Sequence, residues 1–167
     1  MNNTKKLTLL SVLTGQAIIL HYIESFIPAI LPGVKLGLAN IITLLTIMML
    51  GFKEAIFVVV IRSVLAPLLA GSPTAILYSL AGGLLSCFVM SFLYFHFGKY
   101  FSIIGISTAG AIFHNVAQLI VASWVFGNIG IFFTYTPILI AFAVITGFFT
   151  GLVAGYVAHF LKLNTNI

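Results

Sequence analysis

The stretch YTPILIAFAVITGFFTGLVAGYVAHFL, residues 135–161, contains no Asp, Glu, Lys or Arg. About 20 apolar residues in a helix cross the ~30 Å hydrocarbon core of a bilayer, so this run is long enough to span one. Its apolar residues are continuous, whereas the strands of a membrane barrel alternate between apolar and polar residues. The stretch therefore predicts a transmembrane helix.

The rest of the chain has the same character. Of its 167 residues, 62% are hydrophobic and 5% are charged, against about 25% charged in an ordinary soluble domain. Polar residues, Gly and Pro divide the sequence into six apolar segments, at 7–27, 36–50, 55–70, 75–95, 103–126 and 135–161. The second and third are short for a bilayer, so neighbouring helices must shield their ends or they must extend into the loops. We predict an all-α polytopic membrane protein, a single integral membrane domain over 1–167 with six transmembrane helices and no soluble domain.

The distribution of lysines predicts the orientation. If six helices span the membrane, one face carries Lys5, Lys6, Lys53, Lys99 and Lys162, and the other carries Lys35 alone. The positive-inside rule then places the lysine-rich face and both termini in the cytoplasm, and we expect the plasma membrane as the location. Because the basic residues stand singly between apolar segments, topology explains the net charge of +5 better than nucleic-acid binding does.

The composition argues against several chemistries. The sequence contains no Asp, no phosphate-binding loop of the G-x-x-x-x-G-K-[ST] type, and one cysteine, Cys87, which we assign to the core. The four histidines have no i, i+4 partner among themselves, so a zinc site is not expected. We predict no catalytic residue, no metal and no cofactor.

One charge lies where the bilayer would disfavour it. Arg62 stands inside the apolar third segment, and a charge near the middle of the membrane costs about 2.5–3.5 kcal/mol on insertion scales. It is expected to face the interior of the bundle. Two interpretations stay open: an ion pair with Glu24, or a guanidinium held for an anionic ligand. They are compatible, because Arg has five N–H donors.

The fifth segment carries a second polar group, His114-Asn115-x-x-Gln118. His114 and Gln118 are separated by four residues and share a helix face, with Asn115 beside them. Such a patch predicts either a polar lock between helices or a ligand site. His21, which stands apart in the first segment, is weaker evidence, since histidine is common at the membrane interface.

The connection before the second segment completes the predicted site. Two prolines and Gly33 in 28–40 predict an ordered, non-helical connection at the outer surface. It would bring Lys35 to the mouth of the bundle and Asn40 to the top of the second helix. We predict a substrate site for a small ligand with an anionic or carbonyl-rich end and a flat or greasy body, formed by Glu24, Lys35, Asn40, Arg62, His114, Asn115 and Gln118.

Small residues recur at helical spacing in two segments. Ser11 and Gly15 form one small-x-x-x-small pair, and Gly147, Gly151 and Gly155 repeat every four residues. Such stripes let helices approach closely in lipid. They predict either packing within the bundle or docking faces for a partner membrane protein.

Several motifs resemble a known family. They are Glu-Ser-Phe-Ile-Pro (24–28), Pro-Gly-Val-Lys-Leu-Gly-Leu-Ala-Asn (32–40), Arg62, Leu-Tyr-Ser-Leu-Ala-Gly-Gly (77–83) and Gly-Ile-Ser-x-x-Gly-Ala-x-x-His-Asn-x-x-Gln (105–118). Across nearly the whole chain the sequence resembles the Gx transporter family, also labelled heptaprenyl diphosphate synthase component I. More distantly it is similar to the substrate-binding S components of energy-coupling-factor vitamin transporters. That likeness implies six helices, an outward pocket and a docking face where Ser11 and Gly15 stand.

The two family labels imply different functions. The transporter label implies uptake of a small, anionic or vitamin-like molecule, with an energy-coupling membrane protein and ATPases as partners; we rank this function first. The synthase label implies a non-catalytic membrane component beside a soluble prenyl synthase subunit, because two glutamates on opposite faces cannot form the carboxylate cluster that holds Mg²⁺. A third possibility that the resemblance raises is a membrane component of flavin-based electron export.

Overall fold

The computed structural model describes residues 2–26 and 37–164, with side chains up to residue 161. Within these ranges the chain forms six helices and no strand, which confirms the all-α prediction. The helices are α1 (Asn3–Glu24), α2 (Asn40–Met49), α3 (Phe52–Leu69), α4 (Ala75–Phe97), α5 (Ile103–Val125) and α6 (Gly130–Asn164). The largest differences from the predicted segments are at three helix starts: α1 begins four residues earlier, α2 four residues later and α6 five residues earlier.

Four of the six helices, α1, α4, α5 and α6, are long and apolar enough to cross a membrane. These lengths and compositions are those of a membrane protein. With 10 residues, α2 is about 15 Å long, half the thickness of the hydrocarbon core. The 18-residue α3 carries Lys53, Glu54 and Arg62. The prediction of six spans therefore depends on how α2 and α3 sit among the other helices.

The short helix α2 contacts every other helix. Along the chain of neighbours, α1 packs on α3, α3 on α4, α4 on α5 and α5 on α6, whereas α1 and α6 make no contact within the described residues. Residues 42–47 of α2 are all buried, including the polar Thr43 and Thr46. Leu44 and Ile47 belong to the main apolar core, together with Val58, Met90 and Ile106. The surrounding helices thus enclose α2.

Two features fix the α2–α3 corner. Gly51 joins the two helices with a φ of +104°, a conformation that glycine adopts without steric cost. In the following turn, the carboxylate of Glu54 forms an ion pair with Lys6 of α1. The first turns of α1 and α3 therefore lie side by side.

The glycine stripe of α6 packs against α5. A Cβ on Gly147 would lie 2.5 Å from Thr108 Cα, and one on Gly151 would lie 2.7 Å from Ile104 Cα. At Gly155 the nearest atom, Ile103 Cδ1, is 3.8 Å away. Packing within the bundle therefore accounts for Gly147 and Gly151, and the two helices diverge towards Gly155. On α1, Ser11 is exposed, and no described atom lies within 4 Å of a Cβ built on Gly15.

The close approach of α5 and α6 makes a stability prediction. Gly147→Ala should destabilise the folded protein by about 1–3 kcal/mol, because the added methyl group overlaps the backbone of Thr108. Gly155→Ala is the matched control, since its Cβ would make only ordinary contacts; it should be neutral or stabilising, given the better helix propensity of alanine. Thermal unfolding of both variants in detergent tests this, and equal stability for the two would contradict the close contact.

Candidate functional site

The fold buries Arg62 at the meeting point of four helices. Its side chain is 1% exposed. One terminal nitrogen, Nη2, donates a hydrogen bond of 2.9 Å to Asn40 Oδ1 on α2. The other, Nη1, lies 3.5 Å from His21 Nδ1 on α1, and His21 Nε2 lies 3.1 Å from Ser79 Oγ on α4. Arg62 thereby connects α3 to α1 and α2 directly, and to α4 through His21.

These contacts favour one tautomer of His21. A guanidinium only donates hydrogen bonds, so the Nδ1 atom that faces Arg62 must be the acceptor. The ring proton is then on Nε2 and is donated to Ser79 Oγ. In this arrangement His21 links Arg62 of α3 to Ser79 of α4.

The buried carboxylate of the site is Glu24, the last residue of α1. It accepts a hydrogen bond from the backbone N–H of Gly37, just before α2, and its charge acts on Arg62. Gly37 has a φ of +83°, and a Cβ there would lie 3.0 Å from Asn40 Nδ2 and 3.3 Å from His114 Cδ2. The structure thus brings Glu24 close to Arg62, while the N–H groups of the guanidinium bind Asn40 and His21.

Glycines of α4 admit the polar residues of α5. A Cβ on Gly82 would lie 2.9 Å from His114 Cε1 and 3.0 Å from Gln118 Cγ. A Cβ on the next residue, Gly83, would lie 3.3 Å from Arg62 Nη2. We name the assembled group the polar cluster and define it by its buried polar side chains: His21, Glu24, Asn40, Arg62, Ser79, His114 and Gln118.

One of the predicted site residues, Asn115, stands apart from this group. Asn115 is buried, but its Nδ2 donates a hydrogen bond of 2.9 Å to the carbonyl oxygen of Leu139 on α6. It therefore links α5 to α6. Lys35 lies outside the described residues, as does most of the proline-containing connection that was predicted to carry it.

The polar cluster leaves some buried donors unsatisfied. Within the part of the chain that the structure describes, Arg62 Nε and Asn40 Nδ2 have no hydrogen-bond partner. The orientation of the Asn40 amide follows from its oxygen accepting from Arg62, so Nδ2 is a donor. Each such group costs about 1–3 kcal/mol when it is buried unpaired. A ligand group that only accepts hydrogen bonds would offset this cost.

Sequence reasoning missed three contributors to the polar cluster. His21 was treated as weaker evidence for a site, but it is only 3% exposed and contacts Arg62. Its spacing of three residues from Glu24 places both on one face of α1, and that signal was available in the sequence. Ser79 and Gly82 lie in the Leu-Tyr-Ser-Leu-Ala-Gly-Gly motif, where the reason for each became visible only once α4 was packed against α1 and α5.

The two carboxylates of the chain are far apart. Glu54 pairs with Lys6 near the beginning of α1, and Glu24 ends that helix. Lys6 and Glu24 are separated by about 27 Å along the helix axis. Among the described residues no group of three His, Cys, Asp or Glu side chains is arranged to hold a metal ion.

Comparison with known proteins identifies a family. A family model described as heptaprenyl diphosphate synthase component I matches residues 13–157, a range that includes the whole polar cluster. This match confirms the resemblance seen in the motifs. No curated protein matches the sequence.

The contact between Arg62 and Asn40 can be measured with a double-mutant cycle. Asn40→Ala should destabilise the protein by about 1–3 kcal/mol, because a buried guanidinium N–H loses its acceptor. In the Arg62→Met background the same substitution should cost markedly less. Asn115→Ala is the control, since Asn115 bonds to Leu139, and its cost should be the same in both backgrounds. An Asn40→Ala cost that is independent of Arg62 would contradict the contact.

Proposed function

Because the chain belongs to the heptaprenyl diphosphate synthase component I family, we propose that it is the membrane-embedded, non-catalytic component of such a synthase. The description "component I" implies at least one further component. We propose that this partner is a soluble prenyl synthase subunit, which supplies the catalytic site.

The positions of the two glutamates support this division of labour. Enzymes that bind Mg²⁺ with a substrate diphosphate hold the ion through carboxylates and phosphate oxygens. In this chain Glu24 belongs to the polar cluster and Glu54 pairs with Lys6, about 27 Å away along α1. Two carboxylates at this separation cannot share one metal ion, so a carboxylate cluster would have to come from the partner. This separation is the observation on which the proposal chiefly depends.

We propose that the chain crosses the plasma membrane six times as a single domain over 1–167, with both termini in the cytoplasm. The enclosure of α2 by the other five helices supports this. Because α2 is surrounded by protein rather than lipid, the non-helical chain next to it can complete the crossing. The exposed Lys53 and Lys99 then lie on the cytoplasmic face, with Lys6 beside them. A soluble partner would dock on that face.

The synthase role predicts a physical complex. The tagged chain, co-expressed with the prenyl synthase subunit of its own organism, should retain that subunit through purification. Without that subunit, the purified chain should not elongate prenyl diphosphate substrates in the presence of Mg²⁺. Lys53→Glu with Lys99→Glu should reduce retention, because two positive charges of the docking face become negative.

Asn128→Glu, at an exposed position between α5 and α6 on the opposite face, is the control and should retain the partner normally. Two results would contradict the proposal: turnover by the isolated chain, or a catalytic subunit that never co-purifies with it.

A second candidate function, binding and uptake of a small molecule, is favoured by the unsatisfied donors Arg62 Nε and Asn40 Nδ2. Here the ligand would place a carboxylate or carbonyl group against these donors. The proposed binding residues are Glu24, Lys35, Asn40, Arg62, His114, Asn115 and Gln118. The exposed Ser11 and the open surface at Gly15 would be the docking face for an energising membrane protein.

Native mass spectrometry of the purified protein tests this second function by identifying what is retained. Arg62→Ala should lose the ligand while the protein still inserts, and Arg62→Lys should restore binding only in part, since a fork of donors becomes a point charge. Gln118→Ala should weaken binding by about 0.5–1.5 kcal/mol.

Ser107→Ala is the control for these substitutions. Ser107 is also a buried polar residue, but it bonds to Thr150 at the α5–α6 interface, so its loss should leave ligand retention unchanged. Retention by Arg62→Ala at the wild-type level would assign Arg62 a purely structural role.

A further inference from the structure

A groove runs along the outside of the bundle where α5 and α6 separate. Its volume is about 500 Å³. Ile103 and Ile104 of α5 form one side and Leu152 of α6 the other, with Gly151 and Gly155 on the α6 side. Every one of these five residues is apolar or has no side chain.

The helix packing explains why the groove exists. At Gly151 the two helices touch, because a Cβ there would lie 2.7 Å from Ile104 Cα. One turn further along α6, a Cβ on Gly155 would be 3.8 Å from the side chain of Ile103. Since α5 begins at Ile103 while α6 continues to Asn164, the last turns of α6 extend past their partner. The groove is the wedge between them.

One end of the groove is polar and lies on the lysine-rich face. Ser102, Tyr156 and His159 line this end, and all three are exposed. The exposed Lys99 is three residues before Ser102. The groove therefore combines an apolar body with a polar rim that follows directly after an exposed lysine in the sequence.

We propose that this groove binds the hydrocarbon chain of a prenyl diphosphate, with the diphosphate at the rim formed by Ser102, Tyr156 and His159. The inference rests on the proposed synthase role, which supplies a ligand of this chemistry. Charge complementarity supports it, since an anionic head matches the exposed Lys99 next to the rim and an uncharged apolar tail matches the groove. In the proposed orientation the rim faces the cytoplasm, where a soluble subunit would release its product.

Competing sites and ligands fit less well. The polar cluster is closed, with side chains no more than 5% exposed, and a Cβ at Gly82 or Gly83 would already collide with its neighbours.

Hydrocarbon gains no hydrophobic driving force on leaving lipid for a groove, so shape and head-group charge must provide the selectivity. A single wedge between two helices suits one chain, whereas a phospholipid has two.

Photolabelling tests the groove. The probe is a farnesyl diphosphate analogue with a diazirine at the far end of its chain, added to the wild-type protein in phosphatidylcholine nanodiscs. We expect labelled peptides that contain residues 103–104 and 151–155. Gly155→Leu should reduce this labelling about tenfold, because the new side chain fills the groove.

Gly155→Leu should still fold, since its Cβ makes only ordinary contacts with Ile103. Ala141→Leu, an equivalent enlargement at an exposed position of α6, is the control and should label as the wild type does. Unlabelled farnesyl diphosphate should compete with the probe, and phosphatidylglycerol at the same concentration should not. Labelling that is insensitive to Gly155→Leu, or equal competition by phosphatidylglycerol, would overturn the inference.

The proposed prenyl-diphosphate site and the proposed synthase role can be contradicted separately. Retention of the catalytic subunit by the wild-type protein without labelling of the groove would overturn the groove and leave the synthase role intact. Labelling of the groove by a protein that never retains the subunit would overturn the synthase role and leave a prenyl-diphosphate site.

Discussion

The packing of the helices depends on one permanent positive charge, that of Arg62, which lies inside an apolar bundle. Arg62 cannot lose its proton at any physiological pH, so its N–H groups require acceptors. Asn40 supplies one at the beginning of α2, and His21 supplies another from α1 while it is itself fixed by Ser79 of α4. These contacts join the first four helices through side chains rather than through apolar packing alone. They also explain how α2, whose ten helical residues are shorter than the hydrocarbon core is thick, can be held at the centre.

Glycine positions determine where this bundle is closed and where it is open. Gly82 and Gly83 let α5 and Arg62 approach α4, so the helices pack closely around the polar cluster. Gly147 and Gly151 bring α6 onto α5, whereas at Gly155 the same stripe makes only ordinary contacts with α5. Helices approach closely at glycines that face a neighbour, which closes the cluster, and they separate beyond Gly151, which opens the groove. The two places would therefore serve different ligands. The groove suits a hydrocarbon chain, and the cluster suits a small group that accepts hydrogen bonds.

The helices and the inward position of Arg62 could be predicted from the sequence, because long apolar runs and the cost of a buried charge are local properties. The common face of His114 and Gln118 was also predictable from their spacing. The partners were not: Asn40 and Arg62 are far apart in sequence, and Asn115 bonds to a backbone carbonyl of α6, which no side-chain motif marks. His21 was given little weight because histidines are common at the membrane interface, although its spacing from Glu24 indicated an inward face.

Arg62 is the sole arginine of the chain, so one experiment observes it without ambiguity. Nuclear magnetic resonance of protein labelled with ¹⁵N only in arginine should give one guanidinium Nε–H signal. If Arg62 is buried and held by Asn40 and His21, this proton should exchange slowly with water, and exchange should accelerate in the Asn40→Ala variant. Rapid exchange in the wild-type protein, unchanged by Asn40→Ala, would contradict the account.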